Sequence, residues 1–311
     1  MSGAFLLLVV LAVWAGTPLL SLALGHGPND PFPYAVSETT LSPVGPWSHV
    51  PDQHVFTGER PQAETALLVL GADGQLGRDL LLRLLDGGTV TLMVALGATL
   101  LALAIGVLVG LAAAWFGGFV DAAISRATEL VMAFPLLFFV ILLASTVGDH
   151  VDGVTLGFLR PGVLSLVLVI GSFTWFYPAR IVRTEVLALR GRDFVEAARM
   201  IGASDARILR SHLLPHLVPT MIVYTTLLFA TNVLLEAGIS FLGFGIKLPT
   251  ASWGSLLSTS WGAARSTTTG PLSVNPWLTL APSLTIFAVV LALNLLGEGL
   301  RTAIDPVGSR R

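Results

Sequence analysis

Cysteine is absent from the 311 residues of this chain, and lysine occurs once. Without thiols the chain has no disulfide bonds, no thiolate nucleophile and no cysteine-ligated metal site. Charged residues of both signs are scarce, at 12% of the chain, whereas a typical soluble domain holds about 25%. The net charge of -2 and the lack of any block rich in lysine or arginine argue against nucleic acid as a partner.

Motifs for nucleotide binding and catalysis are missing too. A phosphate-binding P-loop ends in Gly-Lys-Ser/Thr, but the single lysine, Lys247, is followed by leucine. The metalloprotease and nucleophile-elbow patterns are also absent. His212 and His216 lie four residues apart, but Pro215 interrupts the helix between them and no third ligand is near. The sequence therefore predicts a chain that is not an enzyme and holds no catalytic residue, metal or cofactor of its own.

Apolar residues dominate, at 54% of the chain. A bilayer core is crossed by about 20 apolar residues in helical form, and six stretches are long enough. They are Ala4–Leu24, Thr89–Phe116, Ala127–Val147, Val163–Ile181, Leu217–Phe241 and Trp277–Leu296. The first stretch could be a signal peptide, but a signal peptide begins with basic residues and none precedes this stretch. It is therefore predicted to be a retained transmembrane helix. The predicted fold class is an all-α polytopic membrane protein with six transmembrane helices.

The second stretch contains Gly106 and Gly110 at a spacing that lets two helix backbones approach closely. Chance in a glycine-rich chain is the alternative explanation for that spacing.

The basic residues predict the orientation, because cytoplasmic loops carry an excess of them. With the N-terminus inside, eleven of the 17 basic residues lie in inner segments, although the outer segments are longer. Both termini are therefore expected in the cytoplasm. The expected organisation is a first transmembrane helix (1–24), an extracytoplasmic loop (25–88) that is mostly irregular before a short helix near Gly77–Leu85, and a five-helix core (89–311) containing a cytoplasmic loop (184–216).

The cytoplasmic loop holds the most informative pattern. Asp193 and Glu196 are spaced as a capping box that begins a helix. Gly202 suits the position after a helix end, where φ is positive, and Ser204 suits the start of a second short helix that stops at Pro215. The first helix would present an apolar face to the cytosol, which a groove on a partner could cover. That face consists of Phe194, Ala197, Ala198 and Ile201. A solvated connector between two membrane helices is the alternative.

The same loop resembles the EAA loop of binding-protein-dependent ABC permeases. The matching residues are Glu196, Ala197, Ala198, Gly202, Ile208 and Pro215. In that family the loop forms coupling helices that sit in a cleft of the ATPase subunit. The resemblance therefore implies that these six residues couple the chain to an ATPase.

Three further pieces are similar to the peptide/nickel branch of this family, and specifically to its second permease subunit. They are Leu70–Gly87, Glu236–Gly254 and Pro276–Pro306. The resemblance implies an ABC importer permease fold in a bacterial or archaeal plasma membrane. The implied partners are a sister permease in a heterodimer, one or two ATP-binding subunits that use the ATP, and an extracytoplasmic binding protein that delivers peptides or similar small solutes. A secondary transporter or channel subunit is the alternative, although the chain shows no inverted repeat.

Two polar residues near the outer end of the fifth stretch, Asn232 and Glu236, lie on one helix face. A carboxylate at that depth avoids lipid, so they are candidates for lining the translocation pathway. The alternative for Glu236 is a structural role, with a hydrogen-bonding partner in the outer loop. Glu298, near the inner end of the last stretch, is expected to pair with Arg301.

Overall fold

The protein is described here by a computed structural model, which covers residues 2–37, 42–57, 65–74, 76–152, 160–265 and 276–304. Asp305 and Pro306, which end the last matched piece, lie outside the described residues, as do the basic residues Arg60, Arg310 and Arg311. In the described part, five helical segments are long and apolar enough to cross a membrane, some of them made of two or more consecutive helices: Ser2–Leu24, Leu80–Phe116, Val163–Leu189, Asp205–Phe241 and Pro276–Ile304. The bent pair Gly118–Ala133 and Leu136–Thr146 makes a sixth candidate span. The prediction of a polytopic all-α membrane protein is confirmed.

The helices run the length of the chain. They are α1 (Ser2–Leu24), α2 (Leu80–Phe116), α3 (Gly118–Ala133), α4 (Leu136–Asp152), α5 (Val163–Thr174), α6 (Phe176–Leu189), α7 (Asp193–Met200), α8 (Asp205–Ile208), α9 (Leu214–Phe241), α10 (Trp253–Arg265) and α11 (Pro276–Ile304). A π-helical turn, Leu209–Leu213, joins α8 to α9. Helix α10 lies in the second outer loop, where the sequence predicted no element, and it packs on α2, α9 and α11.

The described part of the segment 25–79, which the sequence predicts to lie outside the membrane, is more ordered than predicted. Strands β1 (Ser48–Val50) and β2 (Ala66–Leu68) pair antiparallel, and β3 (Ala72–Asp73) pairs with β4 (Arg78–Asp79) in the same sense. A 3-10 turn spans Pro33–Ala35. These elements enclose a small apolar core of their own, which includes Phe32, Val50 and Leu68. We call residues 25–79 the outer cap.

The short helix predicted near Gly77–Leu85 is not a separate element. Helix α2 begins at Leu80, nine residues before the predicted span, and continues to Phe116 without a break. Asp79 is its N-cap and accepts a hydrogen bond from the Leu82 amide at 3.1 Å. The first amides of a helix have no backbone acceptor, and the Asp79 carboxylate accepts the hydrogen bond of one of them. The outer cap therefore leads directly into the longest membrane helix.

Helix α2 is also the central helix of the bundle, because it contacts α1, α5, α6 and α9 along its length. Its two spaced glycines lie where it crosses α6. A Cβ atom added at Gly106 would come within 2.6 Å of Pro178, and one at Gly110 within 2.5 Å of the Ala179 carbonyl oxygen. The close approach that this spacing predicted is confirmed, and it is made with α6 of the same chain.

The third predicted span, Ala127–Val147, is broken. Helices α3 and α4 meet at an angle of 89°, and the break lies at Phe134 and Pro135. Proline disfavours helical geometry in the residue before it and lacks the amide that a continuous helix would use. Accordingly, Phe134 is extended, with ψ of 141°. None of the side chains of α3 is buried in this chain.

Candidate coupling site and the buried polar clusters

Helix α7 lies in the loop 184–216, where the sequence predicted a helix. Its N-cap is Arg192, whose backbone is extended and whose side chain makes no capping bond. Asp193 is therefore the first helical residue, one position later than a capping box requires. Asp193 and Glu196 lie in the first turn, where negative charge is favourable because the helix dipole is positive there.

The helix ends in a Schellman turn at Gly202. The Gly202 amide donates to the Arg199 carbonyl at 2.9 Å, and the Ala203 amide donates to the Ala198 carbonyl at 3.0 Å. The φ angle of Gly202 is 82°, a left-handed conformation that side chains with a Cβ rarely adopt. The predicted positive φ is confirmed, and it turns the chain sharply between α7 and α8.

The second short helix does not stop at Pro215, contrary to the prediction. Ser204 occupies the N-cap position of α8 without a capping bond from its side chain, and α8 continues through the π-helical turn into α9. Pro215 has no amide hydrogen to donate. In the π-helical turn the Leu214 amide donates to the Leu209 carbonyl, five residues back. The helix therefore continues through Pro215 without needing its missing amide hydrogen. The coupling loop is thus continuous with the fifth span.

The apolar side of α7 faces inwards, which the predicted face did not anticipate. Val195 and Ala198 are buried and pack with Ile208, Leu213 and Leu217 against the ends of α2 and α6. Two of the six predicted coupling residues, Ala198 and Ile208, therefore stabilise the loop and are not available to a partner in this conformation. Val195 was not predicted to belong to this face, although its spacing of three from Ala198 is the helical signal.

Four of the six predicted coupling residues, Glu196, Ala197, Gly202 and Pro215, remain exposed. The C-terminal end of α7 also exposes two large apolar side chains, Met200 and Ile201. Met200 is 83% exposed and Ile201 is 86% exposed. Met200 was not predicted to belong to this surface. We call Ala197, Met200, Ile201 and Gly202 the loop tip.

Asn232 and Glu236, the predicted pathway residues, do not face a pathway in this structure, because both are completely buried. Asn232 donates to the Thr99 hydroxyl at 2.9 Å, and Glu236 accepts from the Ser240 hydroxyl at 2.7 Å. Ser240 in turn accepts from the Ile246 amide of the outer loop. Glu236 therefore reaches the segment after α9 through the Ser240 hydroxyl, and a direct partner in that loop stays a prediction.

The expected Glu298–Arg301 ion pair does not form within the described part of the chain. The two side chains instead line a cleft between α9 and α11, with Thr220 and Tyr224 on its other wall. Also within the described residues, no group of three or more histidine, aspartate or glutamate side chains could hold a metal ion.

Buried ion pairs attach the outer cap to the membrane helices. Asp73 pairs with Arg78 and Arg83, and Arg83 also donates to the Asn29 side chain at 2.6 Å and to the Pro249 carbonyl at 3.2 Å. These contacts join both outer loops at one residue of α2. No pattern in the sequence of this segment signals these long-range partners.

His26 adds a second attachment of the outer cap. Its Nδ1 lies 3.1 Å from the Leu24 carbonyl oxygen and its Nε2 lies 3.0 Å from Asp79 Oδ2. Both neighbours are hydrogen-bond acceptors, so only the imidazolium satisfies both with donors. Burial alone would lower the pKa of His26, but the hydrogen bond and charge of Asp79 and the Leu24 carbonyl outweigh it, and the pKa is raised.

The stability of the outer cap is therefore expected to depend on pH. A raised pKa in the folded state means that the stabilisation is fully present below the unfolded-state pKa of about 6.5 and is lost as the pH rises through the higher folded-state pKa. The thermal unfolding midpoint should fall as the pH is raised from about 6 to about 8. His26→Gln should flatten this dependence, while His49→Gln, at an exposed position, should retain it. Equal slopes in wild type and His26→Gln would contradict the assignment.

Comparisons with known proteins identify the family of this chain. The model of the family described as binding-protein-dependent transport system inner membrane component matches residues 102–307. A protein of Brucella ovis described as a peptide permease is 41% identical over 236 residues, which are 76% of this chain and 72% of that protein. The oligopeptide transport system permease protein OppC of Escherichia coli is 36% identical over 230 residues, 74% of this chain and 70% of that protein.

The fold of this chain is similar to that of chains in solved structures. Two inward-facing crystal structures of the MetNI methionine ABC transporter match with a TM-score of 0.53 each, at 19% and 17% identity. They cover 72% and 71% of this chain and 96% of each matched chain. The chain is a transport permease and not an enzyme, and it belongs to the family of binding-protein-dependent transport system inner membrane components.

Proposed function

We propose that this chain forms half of the translocation pathway of an ATP-driven peptide importer and that its loop 184–216 docks on the ATPase. The observation that carries the docking is the loop tip, where Met200 and Ile201 are exposed by 83% and 86%. Apolar side chains on a helix end outside the membrane are stabilised when a partner groove covers them. Ala197 beside them is small, so the partner surface can approach closely.

The inner side of the same helix supports this role. Val195 and Ala198 are packed on the membrane helices, so the loop tip is held at a fixed place below the bundle. A solvated connector would need no such packing. Family membership also replaces the alternative of a secondary transporter or channel, and it implies an ATPase and an external binding protein as partners.

A second permease completes the pathway in this proposal. Six candidate spans make one half of an enclosed route, and α3 buries none of its side chains in this chain, which leaves its surface free for lipid or another subunit. The relatives described as peptide permeases supply the substrate class. The sister permease is a different chain, as in the heterodimer that the resemblance implies.

Orientation is the third element of the proposal, with both termini in the cytoplasm of a bacterial or archaeal plasma membrane. Its support is the excess of basic residues in the segments predicted inside, and the long-range ion pairs agree with the predicted topology. Asp86 pairs with Arg160, both predicted outside, and Asp121 pairs with Arg183, both predicted inside.

Cysteine labelling tests this orientation, because the chain has no native cysteine. Val55→Cys, at a position that is 68% exposed in the outer cap, should react with an impermeant maleimide in intact cells. Arg207→Cys, at an exposed position of α8, should react only after permeabilisation. The reverse pattern would overturn the orientation.

Reconstitution tests the transport function. Liposomes containing this chain, its sister permease and the ATPase, supplied with the binding protein and ATP, should accumulate a radiolabelled peptide. The chain alone should neither hydrolyse ATP nor accumulate peptide. Accumulation by the lone chain, driven by an ion gradient, would instead favour a secondary transporter.

A further inference from the structure

Two arginines of the loop 184–216 contact the C-terminal end of α2. Both contacts are made within this chain and neither involves the loop tip. The Arg199 guanidinium on α7 lies over the Trp115 ring, 5.2 Å from its centroid. Arg190, which follows α6, donates from Nη1 to the Ala114 carbonyl at 2.8 Å. We call these two contacts the α2 anchor.

The anchor suits the chemistry of a helix end. The last carbonyls of a helix lack amide partners and carry its negative dipole end. Arg190 supplies a hydrogen bond and a positive charge at that point. Trp115 offers the aromatic face that attracts the second cation, and its ring is partly buried against the cluster formed by Val195 and Ala198. The anchor and the apolar cluster therefore hold the coupling helix from two sides.

Helix α2 extends from this anchor to the opposite side of the membrane. Its 37 residues span about 55 Å at 1.5 Å per residue. At the far end, Asp79 and Arg83 bind the outer cap and the second outer loop.

We infer that Arg190 and Arg199 are positioning residues that transmit movement of the ATPase-bound loop to α2, and through α2 to the outer face. The inference rests on the proposed function, because it takes the loop tip as the ATPase contact. Docking depends on exposed apolar side chains, whereas transmission depends on the anchor. The two roles use different residues and can be separated by substitution.

The test uses the complete importer with its native ATPase, sister permease and binding protein. Arg199→Gln removes the cation, and Trp115→Ala removes the ring. Both variants should retain the ATPase through purification and should still hydrolyse ATP. Peptide transported per ATP hydrolysed should fall about two- to fivefold, the factor that corresponds to one exposed cation–π pair. The double variant should lose no more than either single one.

Conservative variants separate transmission from folding. Trp115→Phe and Arg199→Lys keep a ring and a cation, so both should recover most of the transport per ATP. Arg301→Gln, at an exposed arginine of α11 outside the docking loop, is the control and should keep the wild-type ratio. If Trp115→Ala does not accumulate in the membrane, the transport-to-ATP ratio of Arg199→Gln decides the test, because Arg199 is exposed and its substitution should leave the fold intact.

The outcomes distinguish the inference from the function on which it rests. An unchanged transport-to-ATP ratio in Arg199→Gln, with the ATPase bound, overturns the inference and leaves docking intact. A wild-type complex that captures no ATPase through this loop overturns the proposed docking instead. A fall in the ratio that Arg199→Lys does not recover would also overturn the role assigned to the cation.

Discussion

Gly202→Leu is expected to leave the protein in the membrane at normal abundance and to reduce ATPase capture and peptide transport about tenfold or more. The φ of 82° at Gly202 is strained for leucine by roughly 1–3 kcal/mol. The exposed loop has freedom to relieve that strain by changing the turn. The loop tip then loses its orientation, while the membrane helices keep theirs. Co-purification of the ATPase and transport in vesicles measure the effect.

Two glycine positions supply the controls. Gly202→Asn adds a side chain that tolerates the left-handed conformation, so it should retain most of the capture. Gly191→Leu adds the same bulk to the same loop at a position with open space around it and should behave as wild type. If Gly202→Leu transports normally, the loop is a connector and not a coupling element.

Gly110→Leu is expected to have the second large effect, and on the fold. A Cβ at this position would lie 2.5 Å from the Ala179 carbonyl oxygen and 2.8 Å from Val182 Cβ. Backbone on α6 cannot rotate away as a side chain does, so α2 and α6 must separate. Overpacking of a close contact costs about 1–3 kcal/mol or more. Membrane abundance and the thermal unfolding midpoint in detergent should both fall.

The matched control is Gly299→Leu on α11, where an added Cβ meets nothing within 4 Å. It introduces the same leucine into a membrane helix without touching a neighbour. Its abundance and unfolding midpoint should equal those of wild type. If both variants were equally stable, the Gly106 and Gly110 spacing would be a chance feature and not a packing site.

The sequence predicted features whose cause is local. Long apolar stretches identify spans because the bilayer demands length and apolarity of each helix separately. Gly202 was identified because the end of a single helix requires the positive φ. The break at Pro135 has a local cause as well, yet it was missed, because an apolar stretch with a proline still passes a test of length and hydropathy.

Features set by distant residues were not predictable in this way. Glu236 is buried by outer-loop residues and by α2, so its position along α9 did not reveal whether it faces water or protein. The burial of Ala198 and Ile208 was not predictable either, because the side of α7 that faces the protein depends on the positions of α2, α6 and α9. Arg83 pairs across 166 residues with Pro249, and no spacing in one sequence signals that contact.

The contacts of Arg83 also set an order for biogenesis. Asn29 emerges from the ribosome early, but Pro249 and the buried Trp253, which donates to the Leu84 carbonyl at 2.9 Å, emerge more than 160 residues after α2 begins. Chains are synthesised from the N-terminus at about 5–20 residues per second, so the outer end of α2 waits many seconds for its last partners. These contacts are therefore completed only after the fifth span has been translated, and a chain truncated before Pro249 would leave Arg83 with its Asp73 and Asn29 partners alone.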